Sequence, residues 1–152
     1  MKTLLFLSIA ALASVGCQDD AITTNELPAT KQLDFTEFTM EVPASWTSLP
    51  LQGIDSYVGG LTMDDGQQAT FDLGWYSNSL EVQFETHHVE FTRIDGLDAK
   101  LVSPVNPGRG TTGVYFANLN DGGLLRFEMH GEDLTADNQQ LLLDAFKTLD
   151  FK

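Results

Sequence analysis

Two acidic and three aromatic residues recur in a pattern suited to holding a ligand. They lie in Gly53-Ile54-Asp55-Ser56-Tyr57 and in Phe71-Asp72-Leu73-Gly74-Trp75-Tyr76-Ser77. Side chains alternate faces along a strand, so Asp55 and Tyr57 are expected to share one face. Phe71, Leu73 and Trp75 are expected to point one way, and Asp72, Gly74 and Tyr76 the other. If the two strands are neighbours, Asp55, Tyr57, Asp72, Trp75 and Tyr76 form one site, with Gly74 leaving a shallow gap. Carboxylates beside aromatic rings suit a sugar, a peptide or a cation. A converging Asp55/Asp72 pair would instead suit acid/base chemistry, as in a small hydrolase or lyase, and one of the two pKa values would then rise. The competing reading leaves both aspartates on a solvated face and packs the aromatics.

Other reactive residues carry less. His88 and Glu90 share a strand face and His87 takes the other, so a zinc site would need a further ligand such as His130. An exposed polar strand face explains these residues without a metal. Asn106-Pro107-Gly108-Arg109-Gly110 lacks the Gly-Lys-Ser/Thr ending of a phosphate loop and reads as a connection with Arg109 at its tip. Asp64-Asp65-Gly66 and Asn120-Asp121-Gly122 lack the ligand run of a calcium loop and read as turns. There is no G-x-S-x-G elbow and no H-E-x-x-H. The sequence therefore assigns no catalytic residue, no metal ligand set and no cofactor.

The elements that must position these residues are mostly strands. Phe38, Met40 and Val42 alternate with Thr39 and Glu41 up to Pro43, a half-buried strand. Residues 44–53 read as a loop, with Trp46 as a hydrophobic plug. Residues 54–63 read as a strand broken at Gly59-Gly60, and residues 69–76 as a cleanly alternating one. Residues 87–94 form a further strand. Asp95-Gly96 turns it into Leu97-Asp98-Ala99-Lys100-Leu101, because both turn positions need positive φ. Asn120-Asp121-Gly122-Gly123 marks a second hairpin between residues 114–119 and 124–130. The one helix lies near the end, capped by Thr135 or Asp133, with Asp137 in its first turn. Leu141, Leu142, Ala145, Phe146 and Leu149 form its apolar stripe, and Thr148-Leu149-Asp150-Phe151 closes the chain. The fold class is α+β: an antiparallel sheet packed on one face by a C-terminal helix, with room for a short helix near residue 35.

The N-terminus addresses location. Lys2 precedes an apolar run from Leu4 to Ala13, which suits an export signal and is shorter than the roughly 20 residues of a membrane span. Ser14-Val15-Gly16-Cys17 resembles a bacterial lipobox, with Ser14 where Leu is usual. Cys17-Gln18-Asp19-Asp20 resembles the acidic export tag of Bacteroidota-type surface lipoproteins. The resemblance implies cleavage before Cys17 and a thioether-linked diacylglycerol on it. Cys17 is the one cysteine in the chain, so an intramolecular disulfide is excluded. The organisation expected is a signal peptide over 1–16, a lipidated Cys17 with a flexible tether over 17–34, and one α+β domain over 35–152.

The chain has 22 acidic against 8 basic residues and a net charge of −14. Such a surface is repelled by phosphate backbones, which excludes nucleic acid as a partner. Diffuse acidity would also favour divalent cations, leaving a cation or ligand scavenger as a further reading. Phe38-Thr39-Met40-Glu41-Val42-Pro43-Ala44-Ser45-Trp46, the mid-chain sheet and the terminal helix followed by Phe151 resemble the PsbP/Mog1-like α/β/α sandwich over residues 35–152. Residues 53–80 also look like a group of small bacterial lipoproteins. These motifs concern packing, and no binding residue carries over. The expectation is a non-enzymatic binding or assembly module anchored at the outer membrane through lipid, with an envelope protein or a glycan as partner.

Overall fold

Alternation along residues 38–43 places Phe38, Met40 and Val42 fully inside the molecule in the computed structural model, which describes residues 28–120 and 122–152. This strand is β2 (Phe38–Pro43), and it pairs with β1 (Thr30–Asp34) and with the short β10 (Asp150–Phe151) in a three-stranded antiparallel sheet. The remaining strands are β3 (Thr47–Pro50), β4 (Tyr57–Thr62), β5 (Gln68–Gly74), β6 (His87–Ile94), β7 (Leu97–Pro104), β8 (Thr111–Phe116) and β9 (Arg126–Glu132). They form a second antiparallel sheet in the order β3-β4-β5-β9-β8-β7-β6. The helix α1 (Ala136–Phe146) lies against β2 and β8. The fold is thus α+β, with the small sheet and the helix together covering one face of the large sheet.

Aromatic side chains join the layers. The Phe38 ring lies 4.9 Å from Phe35, 5.0 Å from Phe71 on β5 and 4.9 Å from Phe127 on β9. Phe151 closes the cluster, 5.0 Å from Phe116 and 5.3 Å from Phe127. Edge-to-face pairs of this kind add to the free energy of burying the rings. Trp46 is 1 % exposed and plugs the core, as the sequence predicts.

Thr135 caps α1, its side chain accepting from the Asn138 backbone N–H, and Asp137 occupies the first turn. Leu142, Ala145 and Phe146 are buried. Asn138 is buried as well, because its side-chain amide donates to Asp65 Oδ2 and Gln67 Oε1, each at 2.9 Å. The Asp64-Asp65-Gly66 turn therefore fastens the start of the helix, a use that local sequence does not reveal.

Among the described residues no helix covers the other face of the large sheet. The segment from Trp75 to Thr86 crosses it as a strap. Leu80, 5 % exposed, packs over Gly113 of β8. Lys100 on β7 donates to the carbonyls of Ser79 and Leu80 and lies 5.4 Å from the Tyr115 ring centroid. Desolvation there holds the Lys100 ammonium below the usual lysine pKa.

Several sequence expectations are corrected. Residues 30–34 are strand β1, paired with β2 from Thr30↔Pro43 to Asp34↔Thr39, so that part of the presumed tether belongs to the domain. Thr47–Pro50 is an edge strand rather than loop, and Pro50 is tolerated there because an edge leaves N–H groups unpaired. Gly59 and Gly60 do not break β4; both pair with β5. A Cβ on Gly60 would lie 2.3 Å from the Ala69 carbonyl oxygen, so the glycine permits the approach of the two strands. Among the described residues α1 is the one α-helix, so neither a helix near residue 35 nor a second helical layer of an α/β/α sandwich is among them. The Asp95-Gly96 turn is as expected, with φ of 51° and 74°. Cys17, the signal segment and Asp121 lie outside the described residues.

Candidate functional site

The five residues singled out from the sequence are divided by the fold. β5 ends at Gly74, so Trp75 and Tyr76 leave the sheet and stand in solvent, 62 % and 85 % exposed. Tyr57 opens β4 opposite Leu73, on the face that carries Phe71, and its ring lies 5.2 Å from the Phe71 ring. Asp72 lies on the opposite face, beside Val58. Its two carboxylate oxygens accept from Ser56 Oγ at 3.1 Å and Ser77 Oγ at 2.9 Å. A Cβ at Gly74 would lie 2.7 Å from the Ser56 Cβ, so the expected gap beside Asp72 is filled. Asp72 thus secures the start of the strap. The Asp55/Asp72 acid/base pair is not assembled, since Asp72 is engaged with serines on the far face of the sheet.

What remains together is a different set. Asp55, Tyr57 and Trp75 line an open concavity of about 640 Å³ with Ile54, Glu37 and Leu125. Ile54 is fully solvent-exposed, and Leu51 and Leu124 are 46 % and 58 % exposed in the neighbouring loops. The connections before β4, after β5 and before β9 thus present apolar side chains rimmed by Asp55 and Glu37. Sequence reasoning missed Ile54, Leu125 and Glu37. Single aliphatic residues in loops look like core residues until the fold shows them uncovered, and Glu37 joins from a hairpin of the other sheet.

The histidines form no joint site. His87 accepts from the Thr111 N–H at 3.2 Å through Nε2, while His88 and Glu90 lie exposed on β6. His130 sits mid-sheet on β9, paired with Thr70 and Gly113 of the flanking strands. Its Nδ1 is 2.7 Å from Glu128 Oε2, and its Nε2 is 4.0 Å from Glu132 Oε1. Among the described residues no cluster of three or more His, Cys, Asp or Glu is arranged to hold a metal.

Glu128 is 6 % exposed, and a buried carboxylate needs a partner. Its hydrogen bond to His130 holds the imidazole above the ordinary histidine pKa, against desolvation, which pulls the other way. The protonated ring is therefore favoured in the folded state. The stability it contributes is complete below the unfolded histidine pKa of about 6.5 and is lost as pH rises through the higher folded value. Urea midpoints are expected to fall between pH 6 and pH 8.5, and His130→Gln to flatten that fall. An unchanged slope in the variant would dismiss the pair as its source.

No protein-family model matches the sequence, nor does any curated protein or solved structure.

Proposed function

We propose that this chain is a lipid-anchored envelope protein whose domain binds a protein partner without catalysing a reaction. The observation that carries the reading is the uncovered apolar end built by Ile54, Tyr57, Trp75 and Leu125. Large apolar side chains clustered in solvent mark an interaction surface, and an aromatic anchor with a polar rim is the usual core of one. Aliphatic Ile54 and Leu124 favour a protein over a glycan, whose rings stack on flat aromatics. Asp55 and Glu37 at the rim, with a net charge of −14, favour a basic partner face. The concavity is open, which suits a protruding side chain or loop better than an enclosed small molecule.

The anchor rests on Cys17 and the lipobox-like residues before it. The resemblance to small bacterial lipoproteins and to PsbP/Mog1-like domains belongs to the same proposal. It is supported by the antiparallel sheet, the Trp46 plug and the C-terminal helix followed by Phe151. An outer-membrane site follows from the signal and the acidic residues after Cys17. Two experiments separate the parts. Labelling with a clickable palmitate is expected to mark the native chain and leave Cys17→Ser unlabelled and released; a native chain that takes up no label removes the anchor. Crosslinking on intact cells is expected to capture a protein with the native chain and to lose it with Ile54→Asp/Trp75→Ala. Capture undiminished in that variant moves the binding surface elsewhere, and release by glycan competitors reassigns it to a sugar.

A further inference from the structure

The large sheet ends on an open strand. β6 is eight residues long and, among the described residues, pairs only with β7. The other sheet edges are shorter: β3 has four residues with Pro50, β1 has five and β10 has two. Long open edges are templates for strand addition, and proteins normally shorten or cover them. Here Phe91 stands on the edge strand, 77 % exposed.

The hairpin shows which backbone groups face outward. The two-residue Asp95-Gly96 turn makes Ile94↔Leu97 a hydrogen-bonded pair. Hydrogen-bonded and non-bonded pairs alternate along an antiparallel ladder. Ile94, Thr92, Glu90 and His88 therefore bond to β7, and Arg93, Phe91, Val89 and His87 direct their N–H and C=O groups away from the sheet. The His87 N–H is occupied by the Gln83 carbonyl at 3.0 Å. At the centre of the strand, the Val89 and Phe91 groups have no hydrogen-bond partner among the described residues.

The order of residues along this edge is self-complementary. Run antiparallel to itself about Val89, the strand sets Val89 against Val89, His88 against Glu90 and Phe91 against His87. The register runs from His87, and Thr86 and Glu85 lie in the turn before β6, on the side of the second copy's Thr92 and Arg93. The histidine–carboxylate match occurs twice by symmetry, and opposite partners facing one another favour a register. The next symmetric register sets Glu90 against Glu90, which is unfavourable. Between β6 and α1 a concavity of about 230 Å³, lined by His88, Glu90, Leu101, Ser103, Leu143 and Lys147, leaves room for these side chains.

We propose that β6 pairs with β6 of a second copy of this chain, about a two-fold axis at Val89, joining the two large sheets into one. The Val89 N–H donates to the second copy's Val89 carbonyl and the Phe91 N–H to its His87 carbonyl, and the two-fold axis repeats both bonds, while each His87 N–H stays with its own Gln83 carbonyl. An isologous contact of this kind closes as a dimer and does not propagate. β6 and the apolar end near β4 lie on opposite sides of the sheet order, so pairing leaves both ends free, and a dimer would bind a multivalent partner with added avidity. The pairing stands independently of the proposed partner.

Sedimentation equilibrium of the full chain in density-matched detergent tests it. The native chain is expected to show a reversible monomer–dimer equilibrium. His88→Glu is expected to weaken the dimer about tenfold or more, since it sets like charges opposite one another twice. His88→Glu/Glu90→His restores the match and is expected to recover the native affinity, which a merely destabilised fold would not do. Val89→Pro, whose missing N–H faces outward and leaves the β7 ladder intact, is expected to give a monomer with a native circular dichroism spectrum. A chain that stays monomeric at all concentrations overturns the pairing. So does a dimer indifferent to these substitutions, or a β6 edge found to capture a different protein.

Discussion

Phe38→Ala is expected to lower the unfolding free energy by about 3–5 kcal/mol, the usual range for a buried phenylalanine. The upper part of that range applies because of the ring's surroundings. Phe38 has no solvent exposure, and its ring is within 6 Å of the rings of Phe35, Phe71, Phe127 and Phe151. Its neighbours belong to the β1–β2 turn, β5, β9 and β10, so no single element can move to fill the space, and the cost of a cavity grows as relaxation is blocked. A domain of this size is stable by about 5–15 kcal/mol in total. The substitution should therefore lower Tm by roughly 10–20 °C. Urea denaturation followed by tryptophan fluorescence measures it through buried Trp46. Phe151→Ala, at a half-buried position on the last strand, should cost clearly less. Equal losses would refute the central place given to Phe38.

Gly60→Ala is the second large effect, from the opposite cause. The added Cβ would lie 2.3 Å from the Ala69 carbonyl oxygen and 3.2 Å from the Thr70 Cα, both main-chain atoms of β5. Main chain in the middle of a ladder cannot rotate away as a side chain can, so the two strands must separate. Overpacking of this kind typically costs about 1–3 kcal/mol and sometimes more. Loss of β4–β5 pairing would also loosen Tyr57 and the loop carrying Ile54 and Asp55, next to the apolar end. Gly60→Ala should therefore weaken partner capture as well as stability. Gly66→Ala supplies the contrast. Nothing lies within 4 Å of a Cβ there, and its cost of about 1 kcal/mol would come from a φ of +84° alone. A Gly60→Ala chain as stable as the native one would mean that the strands are further apart than described.

Strand periodicity was readable wherever one face is buried and the other wet. Phe38-Met40-Val42 and the run from Ala69 to Leu73 alternate for that reason. The Asp95-Gly96 hairpin and the Thr135 cap were readable because both are local events, set by φ and by one side-chain hydrogen bond. β1 was missed because Thr30–Asp34 is a half-exposed edge strand without a clear apolar face. The glycines of β4 looked like a break because their use is to admit a neighbour distant in the chain. The candidate site was half readable. Asp55, Tyr57 and Trp75 do share a concavity, but extending β5 by two residues put Trp75 and Tyr76 on sheet faces that they do not occupy.

By itself the sequence determined the α+β class, the helix and its cap, the tight turn before β7 and the acidic net charge. Each depends on contacts a few residues long or on summed charge. Only the tertiary structure decided that Asp72 is engaged by Ser56 and Ser77, that Ile54 stands uncovered and that β6 ends the sheet. Those outcomes depend on which strands become neighbours. That choice is made by burying the Phe38, Phe71, Phe127 and Phe151 rings together, and these lie up to 113 positions apart in the chain.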